Sequence, residues 1–541
     1  MRKALRDFAE GLYTELFLAR DGPSFSQVRR RISDGRHAII PALQAISTLS
    51  AAIDRSQETM RQITIRTEHG NQAIPVANWP LAFIAKELVY AVREDFDQPL
   101  TDGLIASYSN WYTSIIDPRS FLALFSASRR RQRAQSILIR MDYEQIALQR
   151  LSPVAEIARA LILYESPTGP AGKSACDPSI DFIAFTGLSI MDFMVIGFAC
   201  FARGMPPHRA PFTAQSLTSA GVSDGPLAPH NVDKFLAIAA TDYDLFRKSV
   251  DAEERSLIGY EKYALNPLFK TPIIRTHVRT PEGDPLLVAP IPSMLTYRVT
   301  HGLYWDLLDN WSRAVASHGR SAVPDFPAFF GQAFQRYVGA LLSELVPAGT
   351  LFPERRYGPS ARARDSCDWT VLEKDTAILI ECKTSRFHKA TKATGDPSEF
   401  LKEATDTYAK AIVQLLQTKQ AIQRRQISLP SPPTRFLGLV VIFDHLLMAT
   451  IHLKDDLRAV VPRIDSTFTP QDVDELDYRI LPIRLLEVFT PTIVAEGLAR
   501  VFDPASWEAN RQREQGGHSL PNLLKAKFAE FEARSREAFR A

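Results

Sequence analysis

A chain of 541 residues is too long for one hydrophobic core and, at about 150 residues per unit, divides into roughly three or four. Hydrophobic residues make up 45% and charged residues 23%, an ordinary folded composition that excludes disorder over most of the length. Lys and Arg number 64 against 61 Asp and Glu, a net charge of +3, so global polycationic binding is excluded and any nucleic-acid contact must come from local basic patches.

Residues 1–265 read as a mainly helical domain. Met1 to Arg20 places Leu5, Phe8, Leu12 and Leu16 at helical spacing among charges, without the apolar core or cleavage site of a signal peptide. Leu81 to Val92 and Pro153 to Tyr164 are further helices, the second with Val154, Ile157 and Leu161 on one stripe behind Ser152 as N-cap and Pro153 as first helical residue. Between them, Arg129-Arg130-Arg131-Gln132-Arg133 suits either a phosphate contact or a solvated face. Ile180 to Ala202 is long enough to span a bilayer, yet Asp181 and Asp192 within it favour a buried core helix. Gly204 to His230, rich in Pro, Ser, Thr and Gly, predicts a long loop. The cysteines, Cys176, Cys200, Cys367 and Cys382, form no CxxC pair, which argues against a zinc site or a disulfide framework and points to reduced thiols in a cytoplasmic protein.

Residues 266–320 form a connecting segment. Thr271 to Thr280 and Pro285 to Pro290 flank the turn Pro281-Glu282-Gly283-Asp284 and predict a β-hairpin, followed by a helix over Ser293 to Ala316. In residues 321–495 a helix is expected over Phe329 to Val346, with Phe330, Phe334, Tyr337, Leu341 and Leu345 on one stripe. Strands follow near Thr350 to Tyr357, Ser366 to Glu373 and Thr376 to Thr384. A long helix covers Ser398 to Arg425, and further strands cover Phe436 to Phe443, Leu447 to Leu453 and Arg479 to Val488. Helix, strands, helix, strand makes an α/β sandwich with a mixed sheet. Residues 496–541 form a helical tail with Phe528, Phe531 and Phe539 among charges.

The segment Ser366 to Arg386, SCDWTVLEKDTAILIECKTSR, carries the chemistry. Two β-like runs, Asp368 to Leu372 and Ala377 to Glu381, are joined by the polar turn Glu373-Lys374-Asp375, which sets Asp368 across from Glu381. Period-two alternation sends Glu381 and Lys383 to one face and the Cys382 thiol to the opposite, apolar one. Two carboxylates at a sheet end suit Mg²⁺ (or Mn²⁺), leaving positions open for water and phosphate, and the Cys382 backbone carbonyl is a further candidate ligand. The metal polarises a phosphoryl oxygen and acidifies a water, while the lysine orients that water or offsets charge developing at phosphorus. The plain alternative is an exposed Glu–Lys pair, which contributes little. Against it stands the apolar strand Ala377 to Ile380, at whose end charges are costly without a purpose. Arg386, Lys389 and Lys392 lie in a basic stretch before the next acid, Asp396, and are candidates for gripping a nucleic-acid backbone, with a solvated loop as the equal alternative. Asp444-His445, His230, His277 and His301 show no metal-ligand spacing.

Asp368, followed after a hairpin by Glu381-Cys382-Lys383, resembles the signature of the PD-(D/E)xK nuclease superfamily, and the order of elements over Pro324 to Phe443, extending toward Phe489, is similar to that family's. The resemblance implies a restriction-endonuclease-like core of α/β (α+β) class behind a large mainly helical domain. It implies Asp368, Glu381 and Lys383 as catalytic residues, with the metal on Asp368 and Glu381. Relatives often carry a glutamate in a Gly-x-x-Phe-Glu context, whereas Gly331-Gln332-Ala333-Phe334-Gln335 puts the neutral Gln335 there and weakens any second metal position. Some relatives place a glutamine on the following helix, where Gln414 corresponds.

The expected function is metal-dependent hydrolysis of phosphodiesters, with DNA favoured over RNA. The helical region recognises a target, senses a signal or restrains the nuclease, with a partner protein or second copy binding through it. Bacterial restriction and antiphage systems have a similar layout, so the resemblance implies a defence role. The rivals are a catalytically degenerate nuclease fold that binds nucleic acid or a partner, and a membrane-associated effector through Ile180 to Ala202.

Overall fold

The structure is a computed structural model that describes residues 23–56, 60–67, 70–93, 95–115, 136, 139–140, 152–165, 176–204, 211–218, 224–360, 363–384, 386–443, 453–503, 506 and 520–540. The expected helix in 1–20, the Arg129-to-Arg133 run, Asp444-His445 and all of the 447–453 strand except Leu453 lie outside the described residues. The chain divides into two compact units: Met1–Leu161 with Asp177–Arg313 and Ala529–Ala541, and Ile162–Cys176 with Ala314–Phe528.

The first unit is mainly helical. Ser24 starts α1 (Phe25–Asp34) through a capping box: its Oγ accepts from the Gln27 N–H, and the Gln27 side chain accepts from the Ser24 N–H. The helices α2 (Ile39–Ser56), α3 (Asn78–Ala91) and α4 (Asp102–Thr113) bury Leu43, Ile46, Leu81, Phe83, Ile105 and Tyr108 in a common core. The helical reading missed a hairpin here, β1 (Arg61–Thr67) antiparallel to β2 (Gly70–Val76). Its alternation is the reason it forms: Ile74 and Val76 enter the core, and Ile63 and Ile65 pack against it.

The apolar run 180–202 is not one helix. Pro178–Thr186 ends at Gly187, which adopts a left-handed conformation, and the chain restarts as Ile190–Gly204 after a 62° bend. Phe182, Phe193, Met194 and Ile196 are buried. Among the described residues, no single helix is long and apolar enough to cross a membrane. The expected 204–230 loop contains, among its described residues, the short helix Ala214–Leu217. Asp242 caps α5 (Tyr243–Arg255) by accepting from the Leu245 N–H. A three-stranded sheet holds β3 (Ala240–Thr241), β4 (Ile273–Arg279) and β5 (Pro285–Val288), the last two forming the hairpin that the turn residues predict. The helix expected over 293–316 breaks at Thr300 into Pro292–Val299 and His301–His318, and the Thr300 hydroxyl donates to the Thr296 carbonyl at the break.

The second unit begins with α6 (Phe326–Leu345), capped by Asp325 and started by Pro327. Its strands are β6 (Leu351–Pro353), the two-stranded ribbon β7 (Arg356–Tyr357) with β8 (Arg364–Asp365), then β9 (Trp369–Glu373) and β10 (Thr376–Lys383). After α7 (Lys389–Thr394), helical chain runs over 397–423, with a π-helical turn at Thr405–Ala409 and α8 (Lys410–Gln423) as its last part. Then come β11 (Arg435–Ile442) and β12 (Tyr478–Pro482), and the five-stranded sheet has the order β12-β11-β10-β9-β6. The strand β10 is antiparallel to β9 and parallel to β11, so the sheet is mixed. The strand expected over 479–488 stops at Pro482 and 483–488 is helical, because proline has no N–H to extend a ladder and suits a helix start. Phe330 and Phe334 of α6 pack edge-on against Phe443 with ring centroids 5.1 and 5.5 Å away, fixing this helix over the end of β11.

Candidate active site

The end of β10 carries the acidic and basic residues. Ala377 to Ile380 are fully buried, and the β9–β10 pairing runs from Glu373 opposite Thr376 to Trp369 opposite Ile380. One step further, the same register sets Asp368 opposite Glu381. Along the other edge β11 continues, with Glu381, Cys382 and Lys383 beside Val440, Val441 and Ile442. Lys383 Nζ donates to Glu381 Oε1 at 2.7 Å, as two residues on one strand face can. Asp368 precedes the regular part of β9 and leans along the strand end, where its Oδ2 accepts from the Cys382 N–H at 2.7 Å. Burial and the neighbouring charges of Asp368 and Glu381 push the Cys382 thiol well above its ordinary range. It is the amide of Cys382, not its carbonyl, that meets Asp368.

Two helices clamp the approach to Asp368. From α8, Thr418 Oγ1 accepts from the Cys367 N–H at 2.8 Å, and Gln414 Nε2 donates to the Ser366 carbonyl at 2.9 Å. Gln414 thus holds backbone. From α6, the Gln335 carbonyl accepts from Trp369 Nε1 at 3.0 Å, and Gly339 makes room for the indole: a Cβ there would stand 2.0 Å from Trp369 Cζ2. Only glycine permits this approach of helix and strand.

Glu381 is 2% exposed, and its Oε2 has no hydrogen-bond partner. Burial above all, and then the charge of Asp368, push its carboxyl up to about 8, although Lys383 pulls the other way. Asp368 is also raised, chiefly by burial, with the Cys382 amide and Lys383 opposing. Burial would lower Lys383, but the charges of Glu381 and Asp368 outweigh it and hold the ammonium above its ordinary value. Two buried carboxylates share one ammonium, so at least one carboxylate is without a compensating charge unless it takes a proton or a cation.

Glu354 belongs to the same electrostatic neighbourhood and was missed in the sequence reading. The β6–β9 register ends with Pro353 opposite Trp369, and its next step sets Glu354 opposite Asp368. Three acids, Glu354, Asp368 and Glu381, thus follow one another across three adjacent strand ends. Burial raises the Glu354 carboxyl, the charges of Asp368 and Asp365 add to this, and the Gln335 side chain and Lys383 oppose it. Gln335 therefore lies against Glu354 at the border of the site. The signal in the sequence was an acid directly after the first strand of the hairpin's neighbour.

The basic candidates occupy the loop and helix that follow. Arg386 lies over the Phe443 ring at 4.8 Å and is half-buried. Lys389 and Lys392 stand on α7, where burial pushes Lys389 down to about 8. The His388 N–H and Nδ1 both meet the Glu403 carboxylate, which gives that residue a capping role at the start of α7.

Among the described residues, no group of three or more His, Cys, Asp and Glu side chains is arranged to enclose a metal ion. The donors at the strand end fit a cation held from one side: they are all hard oxygen ligands, and Glu381 Oε2 is buried without a partner. No family model, curated protein or solved structure matches this chain.

Proposed function

We propose that the second unit is a restriction-endonuclease-like, metal-dependent nuclease that hydrolyses DNA in preference to RNA. The observation that carries this reading is the buried Glu381 carboxylate, with its partnerless Oε2, beside Asp368 and Lys383 at the end of an apolar strand. A structural ion pair needs no second buried acid and no orphaned oxygen, whereas phosphodiester chemistry uses both. Asp368 and Glu381 would hold Mg²⁺ or Mn²⁺, with Glu354 one strand away as a weaker outer contributor. Held there, such an ion would polarise the phosphodiester and lower the pKa of a water.

The protein's own residues then have distinct tasks. Lys383, tethered through Glu381, presents an ammonium to the water or to the phosphoryl oxygens where charge develops. Thr418, Gln414 and Trp369 hold the segment that carries Asp368, so the carboxylate is placed before substrate arrives. Arg386, Lys389 and Lys392 grip the nucleic-acid backbone. The first unit controls when or where the cut is made, in a bacterial defence setting, through a partner or a second copy. A second reading, a binding module without catalysis, is favoured by Gln335 standing where an acid would serve and by the engagement of Asp368 Oδ2 with the Cys382 amide.

The test is incubation of the full chain with plasmid, single-stranded DNA and RNA in Mg²⁺, Mn²⁺ or EDTA. Cleavage of DNA with either metal and none in EDTA is expected. Binding without cleavage in any metal selects the second reading, and cleavage that survives EDTA overturns the metal assignment.

A further inference from the structure

The first unit contains an open cavity of about 1120 Å³ with residues from α1, α2, α5, β4 and the end of α3 on its walls. Arg29, Arg30, Arg93, Arg247 and His277 line it, and no described Asp or Glu does. These side chains are not equivalent. Arg29 is charge-matched behind the wall, ion-paired with Glu87 and Glu254, which also take Lys86. Arg247 is set in place by the Tyr90 and Val92 carbonyls at 2.9 and 2.5 Å, which fix its direction without neutralising its charge, and its one carboxylate contact, Asp244, is exposed. Arg30 has only a 3.5 Å contact to Asp34 with both groups exposed, a pairing of little strength. Arg93 is exposed and its side chain has no described partner.

The first turn of α2 lines the same space through Ile39, Ile40 and Pro41. Its first internal bond is from the Ala42 N–H to the Ala38 carbonyl, so the N–H groups of Ile39 and Ile40 lie ahead of the helical ladder. Tyr90, Phe96 and Tyr243 add aromatic surface, and Tyr243 is fixed edge-on to His277 at 4.6 Å.

We infer that this cavity is a binding site for a phosphorylated nucleotide. Three guanidinium groups, Arg93 with no described side-chain partner and Arg30 and Arg247 with only exposed carboxylates beside them, join a helix start in recognising phosphate, Arg being suited to it by its planar fork of donors. The aromatic and aliphatic walls take a flat base. The space is at or above the ~300–1,000 Å³ usual for small-ligand sites, which leaves room for more than an isolated phosphate. The basic groups converge on a hollow from several elements and do not follow a groove, which favours a small molecule over a nucleic-acid strand. The inference does not depend on the nuclease reading of the second unit.

The experiment is calorimetric titration of the full chain with ATP, inorganic pyrophosphate and a short single-stranded oligonucleotide, in EDTA. ATP is expected to bind more tightly than either of the other two. Arg93→Glu and Arg30→Glu should each weaken ATP by at least about tenfold, roughly 1.4 kcal/mol, with unchanged melting in its absence because both side chains are exposed. Arg313→Glu, on an exposed residue of the same unit that does not line the cavity, should leave binding as in wild type. Failure of ATP to bind, wild-type binding by Arg93→Glu, or pyrophosphate matching ATP would each overturn the inference. An oligonucleotide that binds more tightly than ATP at this site would assign the surface to a strand and overturn it as well.

Discussion

Replacing Glu381 by Gln should stabilise the metal-free protein at alkaline pH. The folded state carries this carboxyl from 4.5 up to about 8. At about 1.4 kcal/mol per pH unit, ionising it inside the fold costs about 5 kcal/mol once the pH exceeds 8. The sign follows from proton binding: the folded state holds the proton more tightly, so the penalty is absent below pH 4.5, grows through the interval and is complete above 8. Glutamine cannot ionise, but it places an NH2 group where Oε2 has no partner, a desolvation cost of about 2 kcal/mol. The net gain is about 3 kcal/mol, which for a unit of this size raises the melting temperature by about 6–12 °C. Scanning calorimetry of both proteins in EDTA at pH 5 and pH 9 reads this directly, with the variant no more stable than wild type at pH 5 and clearly more stable at pH 9. Saturating Mg²⁺ should restore the balance, since a ligand at a hundred times its Kd adds about 2.7 kcal/mol to wild type alone. A variant less stable than wild type at both pH values, or a difference that ignores pH, would refute the reasoning.

Three further outcomes follow from the clamps and the border of the site. Gly339→Ala drives a methyl into the Trp369 indole, so it should cost about 1–3 kcal/mol and shift tryptophan fluorescence, and an unchanged melt would show the helix able to move aside. Thr418→Val takes the acceptor from the buried Cys367 N–H, a loss of about 1–3 kcal/mol with reduced cleavage, and Thr418→Ser should recover most of both. Gln335→Glu should let cleavage saturate at lower Mg²⁺, while Gln335→Ala should impair it far less than Glu381→Ala. A Gln335→Glu titration that superimposes on wild type removes this residue from the site.

The hairpin could be read from sequence because its short turn admits one register, and that register alone sets Asp368 against Glu381. The unbroken apolar run of β10 and the period-two position of Lys383 were equally local. What escaped the sequence depends on distant pairing. Thr418 and Cys367 are 51 residues apart, and nothing in either neighbourhood announces their bond. Glu354 enters the site only through the β6–β9 pairing, across a ribbon that no local pattern fixes. In the first unit, Ile63, Ile65, Ile74 and Val76 did carry a strand period, overlooked among the surrounding helices. The arginines around the cavity come from segments between residues 29 and 247, so no motif could have grouped them.

The central claim is tested most directly by measuring cleavage of plasmid DNA in Mg²⁺ by wild type and by Lys383→Ala, Asp368→Ala and Glu381→Ala, each checked for intact folding by its thermal melt. Wild type should cut, and each variant should lose cleavage while still melting cooperatively as a folded protein. Undiminished cleavage in any one of the three, at an unchanged melt, would contradict the assignment of this strand end as a nuclease site.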